Sequence, residues 1–178
     1  MSTPILFKTR DRQYLERVIF PCINTELKPK NILSVGVDWY TALYFDYFKD
    51  SLFVSIDREG EKAKFATNNP HMTCDIQEIS NHFGKVFDLI IFNGVYGHGC
   101  NRREDLHNAL NNMHSCLSEC GVILVGYNNT AQLNPLSIND GYDFGPLEIT
   151  IGPGGAPGAY EVEGSNKHTY IYLKAKSN

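Results

Sequence analysis

The stretch "NILSVGVDWYTALYF" (residues 31–45) decides how the rest of the chain is read. Its first half is a short apolar run with strand character that ends on Gly36, the place where a nucleotide-binding loop leaves a parallel sheet. A loop of that kind normally carries two further glycines. Here Asp38 and Tyr40 stand in those places, and an aromatic run of helical period follows.

Comparable apolar runs recur at "LFVSID" (52–57), "HMTCD" (71–75), "VFDLIIFNG" (86–94) and "GVILVGYN" (121–128). Their alternation with longer segments of helical period predicts strand–helix units around a parallel sheet. The uninterrupted "DLIIF" and "VILVG" read as central strands covered on both faces. Helices are expected over residues 39–49, 59–67, 76–83 and 103–118. The last is clearest, with Leu106, Leu110, Met113 and Leu117 on one face and Gly121 as its stop. An earlier helix over residues 11–20 is expected to pack across one end of the sheet and to finish at Pro21.

Beyond Asn128 the helical period is lost and turn residues multiply, with strands expected near 147–151 and 168–175 as an antiparallel addition at the sheet edge. "GPGGAPGAY" (152–160) has the glycines of a phosphate loop, yet no helix follows whose N-terminus would face an anion, so it reads as a turn.

At 178 residues the chain suits a single domain: an N-terminal helical segment (1–30), a ligand-binding core (31–128) and C-terminal strands and loops (129–178). The formal net charge is -4 with scattered Lys and Arg, which argues against a nucleic-acid partner. No apolar run reaches the roughly 20 residues that span a bilayer, so neither a membrane partner nor an export segment is expected. Five cysteines at irregular spacing read as reduced thiols of a cytoplasmic protein. Cys116 and Cys120 would share one helix face as a metal half-site, but no second pair supports them and no metal is expected.

Chemistry concentrates at the ends of the apolar runs. Asp57 stands 21 positions after Gly36, where its carboxylate can accept from both hydroxyls of a ribose, with Arg58 beside it. Asp75 ends the third run, placed to accept from an exocyclic adenine amine with Ile76 against the ring. Any one of these acids would serve equally well as the N-cap of the next helix. Their common register favours a ligand.

Taken in order, "ILSVGVDWY", "SIDRE", "CDI", "FDLIIFNGVYGHG" and "LSECGVILVGYN" resemble the motifs of the class I S-adenosylmethionine-dependent methyltransferases, over about residues 31–128. "FNGVYGHG" followed by a helix and "LVGYNN" is similar to small, stand-alone methyltransferase-like proteins. The resemblance implies a Rossmann-like three-layer α/β sandwich. Its mostly parallel seven-stranded sheet would have the order 3-2-1-4-5-7-6, with "HTYIYLKAK" as the antiparallel seventh strand. It further implies S-adenosylmethionine as cofactor, S-adenosylhomocysteine as product, and a cofactor site of Ser34, Gly36, Asp38, Asp57, Arg58, Asp75, Ile76 and Asn93.

Within "NGVYGHGCN" the resemblance places Asn93 towards the sulfonium end, with Tyr96 and His98 reaching the acceptor and His98 as a candidate base. Gly97 and Gly99 are expected to leave that loop mobile, and Tyr127 and Asn128 to help form the acceptor pocket. The chain departs from the family pattern at Ser34, usually acidic, and at Asp38 and Tyr40. The expected activity is O- or N-methylation of a small molecule such as a sugar or secondary metabolite, since "NGVY" lacks the prolines of the Asn/Asp-Pro-Pro-Tyr/Phe amino-methylating motif. Two other readings stand beside it: a non-catalytic methyltransferase-like protein that binds a ligand or partner, and a nicotinamide-dependent oxidoreductase. Asp57 would allow the latter, whereas the missing G-x-G-x-x-G spacing argues against it.

Overall fold

Apolar runs separated by polar connections build one sheet. In the computed structural model, which describes residues 8–177, the strands are β1 (Asn31–Val35), β2 (Leu52–Asp57), β3 (His71–Thr73), β4 (Phe87–Asn93), β5 (Leu117–Asn128), β6 (Leu147–Ile149), β7 (Ala159–Glu161) and β8 (His168–Ala175). Residues 1–7 of the expected N-terminal segment, and residue 178, lie outside the described residues.

The first five strands are parallel, in the order β3-β2-β1-β4-β5, and β8 joins β5 antiparallel. β6 and β7 both pair antiparallel with the outer side of β8, Leu147 opposite Ala175 and Ala159 opposite Ile171. Between them Thr150 N donates to Tyr172 O (2.9 Å) and Tyr172 N to Gly158 O (2.9 Å). The two strands are thus one edge strand from which residues 151–157 loop out. The expected order 3-2-1-4-5-7-6 is present, with its last position split in two. The piece at Ala159–Glu161 was not anticipated, because a three-residue strand has no periodicity to detect.

Alternate residues of the central strands face opposite layers. Leu33, Val35, Ile90, Phe92 and Val125 pack towards α3 (Arg103–Cys116) and the turn Ile76–Asn81. Ile32, Leu89, Ile91 and Leu124 pack towards the N-terminal helical segment. In that α/β sandwich Leu106, Leu110 and Met113 of α3 are buried, each worth about 1.5–3 kcal/mol relative to exposure.

Several expectations are corrected. The N-terminal helix does not stop at Pro21: α1 (Arg10–Tyr14) passes through a π-helical turn, Leu15–Ile19, into α2 (Phe20–Glu26). The π turn shifts the hydrogen-bond register immediately before Pro21, which accommodates its missing N–H. Residues 39–49, 59–67 and 76–83 form 3₁₀ turns (Trp39–Thr41, Tyr44–Tyr47, Gly60–Phe65, Ile76–Asn81) instead of α-helices. In the first of these segments the aromatics choose packing over helical period: Tyr44 and Phe48 meet Phe20 edge-on, with ring centroids 4.9 and 5.1 Å away.

Gly121 is not a helix stop. α3 ends at Cys116 and β5 begins at once, while Gly121 lies where the β4–β5 register slips between Phe87 and Leu89. A Cβ at Gly121 would stand 2.7 Å from Phe87 O. Consequently Cys116 and Cys120 share no helix face. Cys116 is buried, its thiol directed at Phe83 O, and Cys120 is exposed on β5. Among the described residues, no helix is long and apolar enough to cross a membrane.

Candidate functional site

The carboxyl ends of β1 to β4 meet in one pocket, and the loops leaving them explain its shape. Gly36 still donates to Ile56 O (2.9 Å) as a ladder residue, then turns with φ 81°. That left-handed value favours glycine, and an added Cβ would also press to 3.2 Å from Val95 Cγ2. The following amide, Val37 N, donates to Asp57 Oδ2 at 2.8 Å, and Glu59 N donates to Asp57 Oδ1 at 2.9 Å. Asp57 therefore ties the first loop to the end of β2. Each of its oxygens retains a lone pair for a further donor.

Asp38 occupies the second glycine position and has a structural task. Its Oδ1 accepts from Trp39 N (2.7 Å), its own N–H donates to Thr41 Oγ1 (2.9 Å), and its Oδ2 meets Lys62 Nζ at 2.7 Å. Burial works to raise its pKa, but Lys62 and the Trp39 N–H outweigh burial and hold the carboxyl below its ordinary range. Tyr40, in the third glycine position, forms part of the pocket wall, with the Arg12 guanidinium 4.5 Å from its ring centroid.

Asp75 lines the pocket and caps the Ile76–Asn81 turn, Oδ1 accepting from Gln77 N at 2.9 Å. The cap and the ligand roles are compatible, since the cap engages one oxygen. Ile76 is buried beside it, and Arg58 lines the same wall with its guanidinium laid against Gly99. Cys100 also faces this pocket. Burial, then the charges of Asp105 and Asp75, push its thiol up to about 12 against the opposing Arg58. Such a thiol is protonated at neutral pH and is not a nucleophile.

From the loop after β4, Asn93 and His98 line the pocket, Asn93 buried and His98 exposed at the rim. Tyr96 does not reach it: the side chain is fully buried, its hydroxyl donating to Asn134 Oδ1 (2.8 Å) and accepting from Leu136 N (2.9 Å). Nor does Ser34, buried in the middle of β1, where the strand's alternation turns it away from the pocket. Tyr127 is core, packed edge-on to Tyr96. Gly97 is packed rather than loose: φ is 92° and a Cβ there would stand 2.5 Å from Leu133 O. The structure thus gathers Gly36, Asp38, Asp57, Arg58, Asp75, Ile76, Asn93 and His98 and leaves out Ser34 and Tyr96.

Three contributors went unnoticed in the sequence. Lys62 and Gln77 sit on 3₁₀ turns and enter the pocket without any motif to announce them. His168, the first residue of β8, is buried behind Asn93, with Nε2 3.2 Å from Asn93 Oδ1 and Nδ1 2.9 Å from Asn128 Oδ1. The antiparallel pairing of "HTYIY" with "VGYN" was the available signal, because it sets His168 opposite Asn128.

No protein-family model matches the chain, and no curated protein sequence matches it significantly. Solved structures do match. The N-methyltransferase NodS from Bradyrhizobium japonicum superposes with a TM-score of 0.69 at 14% identity, covering 94% of this chain and 97% of NodS. The PH0226 protein from Pyrococcus horikoshii gives 0.65 at 14% identity, over 98% and 94% of the two chains. A TehB-like SAM-dependent methyltransferase from Corynebacterium glutamicum gives 0.62 at 18% identity, over 94% and 95%. At such identities the likeness establishes the fold, that of the class I S-adenosylmethionine-dependent methyltransferases.

Proposed function

We propose that the pocket binds S-adenosylmethionine and that the protein methylates an oxygen or nitrogen of a small molecule. One observation carries this reading: Gly36, Asp57, Asp75 and Asn93, on or just beyond four successive parallel strands, converge on a single pocket. The fit to the cofactor rests on residues already placed. Gly36 supplies bare backbone for a ligand to cross, Asp57 has lone pairs for the ribose diol, and Asp75 with Ile76 offers an acceptor beside an apolar wall for adenine. NodS, which shares the fold, has been solved in complex with S-adenosyl-l-homocysteine, which supports the same assignment.

When bound, the cofactor supplies a methyl group already activated by the sulfonium charge. The chain's own work is then alignment and proton handling. Asn93 orients a group at the floor of the pocket, and His98 at the rim takes the acceptor's proton. Residues 31–128 hold the cofactor and residues 129–178 supply support from β8, the chain working as one domain. The net charge of -4 favours a small acceptor over nucleic acid, and the thiols suit the reducing cytoplasm.

A second reading, ligand binding without catalysis, is favoured by the Asp38–Lys62 pair and by Tyr40, which replace two glycines with bulk. Calorimetric titration with S-adenosylmethionine, S-adenosylhomocysteine and NAD decides first: saturable binding of the two sulfur compounds and not of NAD is expected, and no binding of either would overturn the methyl-transfer reading. Transfer of label from methyl-labelled S-adenosylmethionine to a panel of small alcohols, phenols and amines then separates enzyme from binder.

A further inference from the structure

The mechanism above uses Asn93 but not what stands behind it. Asn93 is both pocket wall and hydrogen-bond partner of His168. Its carboxamide enters the sheet only because residue 126 is glycine: a Cβ there would overlap Asn93 Oδ1 and crowd Tyr170 Cε1. His168 is itself 6% exposed, packed on Tyr170 with ring centroids 4.7 Å apart, and touches Asn93 and Asn128 through its two ring nitrogens.

We propose that His168 is a positioning residue whose Nε2–H holds Asn93 with its carbonyl turned inward and its NH2 turned to the pocket, so that a methyl acceptor must offer a lone pair there.

A neutral imidazole has one N–H donor and one bare nitrogen, so two carboxamide oxygens cannot both be its partners. One of the two amides must present NH2 to the ring. Asn93 Oδ1 occupies the place that a Gly126 Cβ would take and so faces the hydrogen that stands there on glycine, where an oxygen receives a weak Cα–H contact and an NH2 would set hydrogens against hydrogens. Asn93 is therefore the fixed oxygen and Asn128 the amide that turns. It follows that Nε2 carries the proton, Nδ1 accepts from Asn128 Nδ2, and the Asn93 NH2 is left for the pocket. The imidazole stays neutral because burial pushes its pKa down to about 4.

The consequence for the substrate rests on the methyl-transfer reading. Beside the atom that is methylated, a suitable acceptor carries a hydrogen-bond acceptor: a carbonyl, ether, carboxylate or phenolate oxygen. A lone primary amine, all donor on the side facing Asn93, is disfavoured.

The test uses the ligand-free protein. Two-bond ¹H–¹⁵N correlation of the histidine side chains at pH 7, with His168 assigned by its loss in His168→Gln, should show a single Nε2–H tautomer. An Nδ1–H tautomer, or averaging between the two, would overturn the proposal without touching cofactor binding. Failure of the calorimetric titration would remove the methyl-transfer reading and leave the tautomer result intact. As a second measurement, the Asn93 side-chain NH2 resonances should persist in His168→Gln, whose Nε2–H can replace the imidazole donor, and collapse or shift in His168→Leu. Unmoved resonances in His168→Leu would show that Asn93 needs no such partner.

Discussion

Replacing Asp57 by Ala tests the ribose assignment most directly, provided its two tasks are separated. The carboxylate anchors Val37 N and Glu59 N at 2.8 and 2.9 Å, so its loss costs stability before any ligand is added. The partly buried Val37 bond, charge-assisted, is worth about 1.5–3 kcal/mol, which lowers Tm by about 3–12 °C for a domain of this size. The two ribose hydroxyls add an effect of similar scale on affinity, ~10- to 150-fold. Raw affinity would confuse the two, because a loosened Val37 loop also weakens every ligand. The clean measurement is a ratio: the calorimetric Kd of adenosine against 2′,3′-dideoxyadenosine, in parent and Asp57→Ala. The parent should prefer the diol, and the variant should lose that preference while loop effects cancel. A diol preference that survives in folded Asp57→Ala would refute the assignment and leave Asp57 as a loop anchor alone.

Further expectations concern residues on both sides of the line between site and scaffold. Tyr96→Phe removes the bridge between Asn134 and Leu136 and should cost about 1–3 kcal/mol in urea unfolding, with S-adenosylhomocysteine affinity within a few-fold of the parent. Gly36→Ala, at φ 81°, should lose ~1–2 kcal/mol and most ligand binding, whereas Gly84→Ala, with nothing within 4 Å of its Cβ, should change neither. With an acceptor in hand, His98→Ala and His98→Gln should lower turnover by about 10²–10⁴-fold at nearly unchanged cofactor affinity; turnover within a few-fold of the parent would make His98 a rim residue without a role. His168 predicts a pH dependence. Burial above all, with Arg12 and His98 against Asp11, depresses its pKa from 6.5 to about 4. The unfolded chain therefore gains a proton first as pH falls, and about 3 kcal/mol of stability present above pH 6.5 drains away between there and pH 4. Urea unfolding of parent and His168→Gln at pH 7, 5.5 and 4.5 should show a steeper loss in the parent.

The parallel core was plain in the letters because its strands are continuous apolar runs whose ends carry turn residues and acids. Gly36, Asp57 and Asp75 were found for the same reason: each ends such a run, and the pocket of a parallel sheet lies at those ends. The connections were hidden. Tyr44 and Phe48 read as helix by spacing, but their edge-on packing against Phe20 decides the backbone. Tyr96 looked available because it adjoins His98, and only the residues around Asn134, 38 positions away, reveal that its hydroxyl is occupied. Ser34 illustrates the limit of motif alignment, since the alternation along β1 that turns Val35 to the pocket turns the Ser34 side chain to the opposite layer. His168 depended on a contact spanning 75 positions, which no local pattern contains.

The broken strand at the sheet's outer edge bears on how the protein behaves in a crowd of its own copies. A long unpaired edge is a template on which another chain can add its backbone, and about six apolar residues without proline suffice to seed a stacked fibre. This sheet presents three residues at β3 on one side and, on the other, two three-residue pieces separated by a loop containing Pro153 and Pro157. Ile151, 73% exposed, sits on that loop, whose carbonyl at Pro153 is held to α2 by the Cys22 thiol. The stickiest side chain of the edge is thereby carried off the line of pairing, and among the described residues self-recognition between copies has no long straight edge strand to start from.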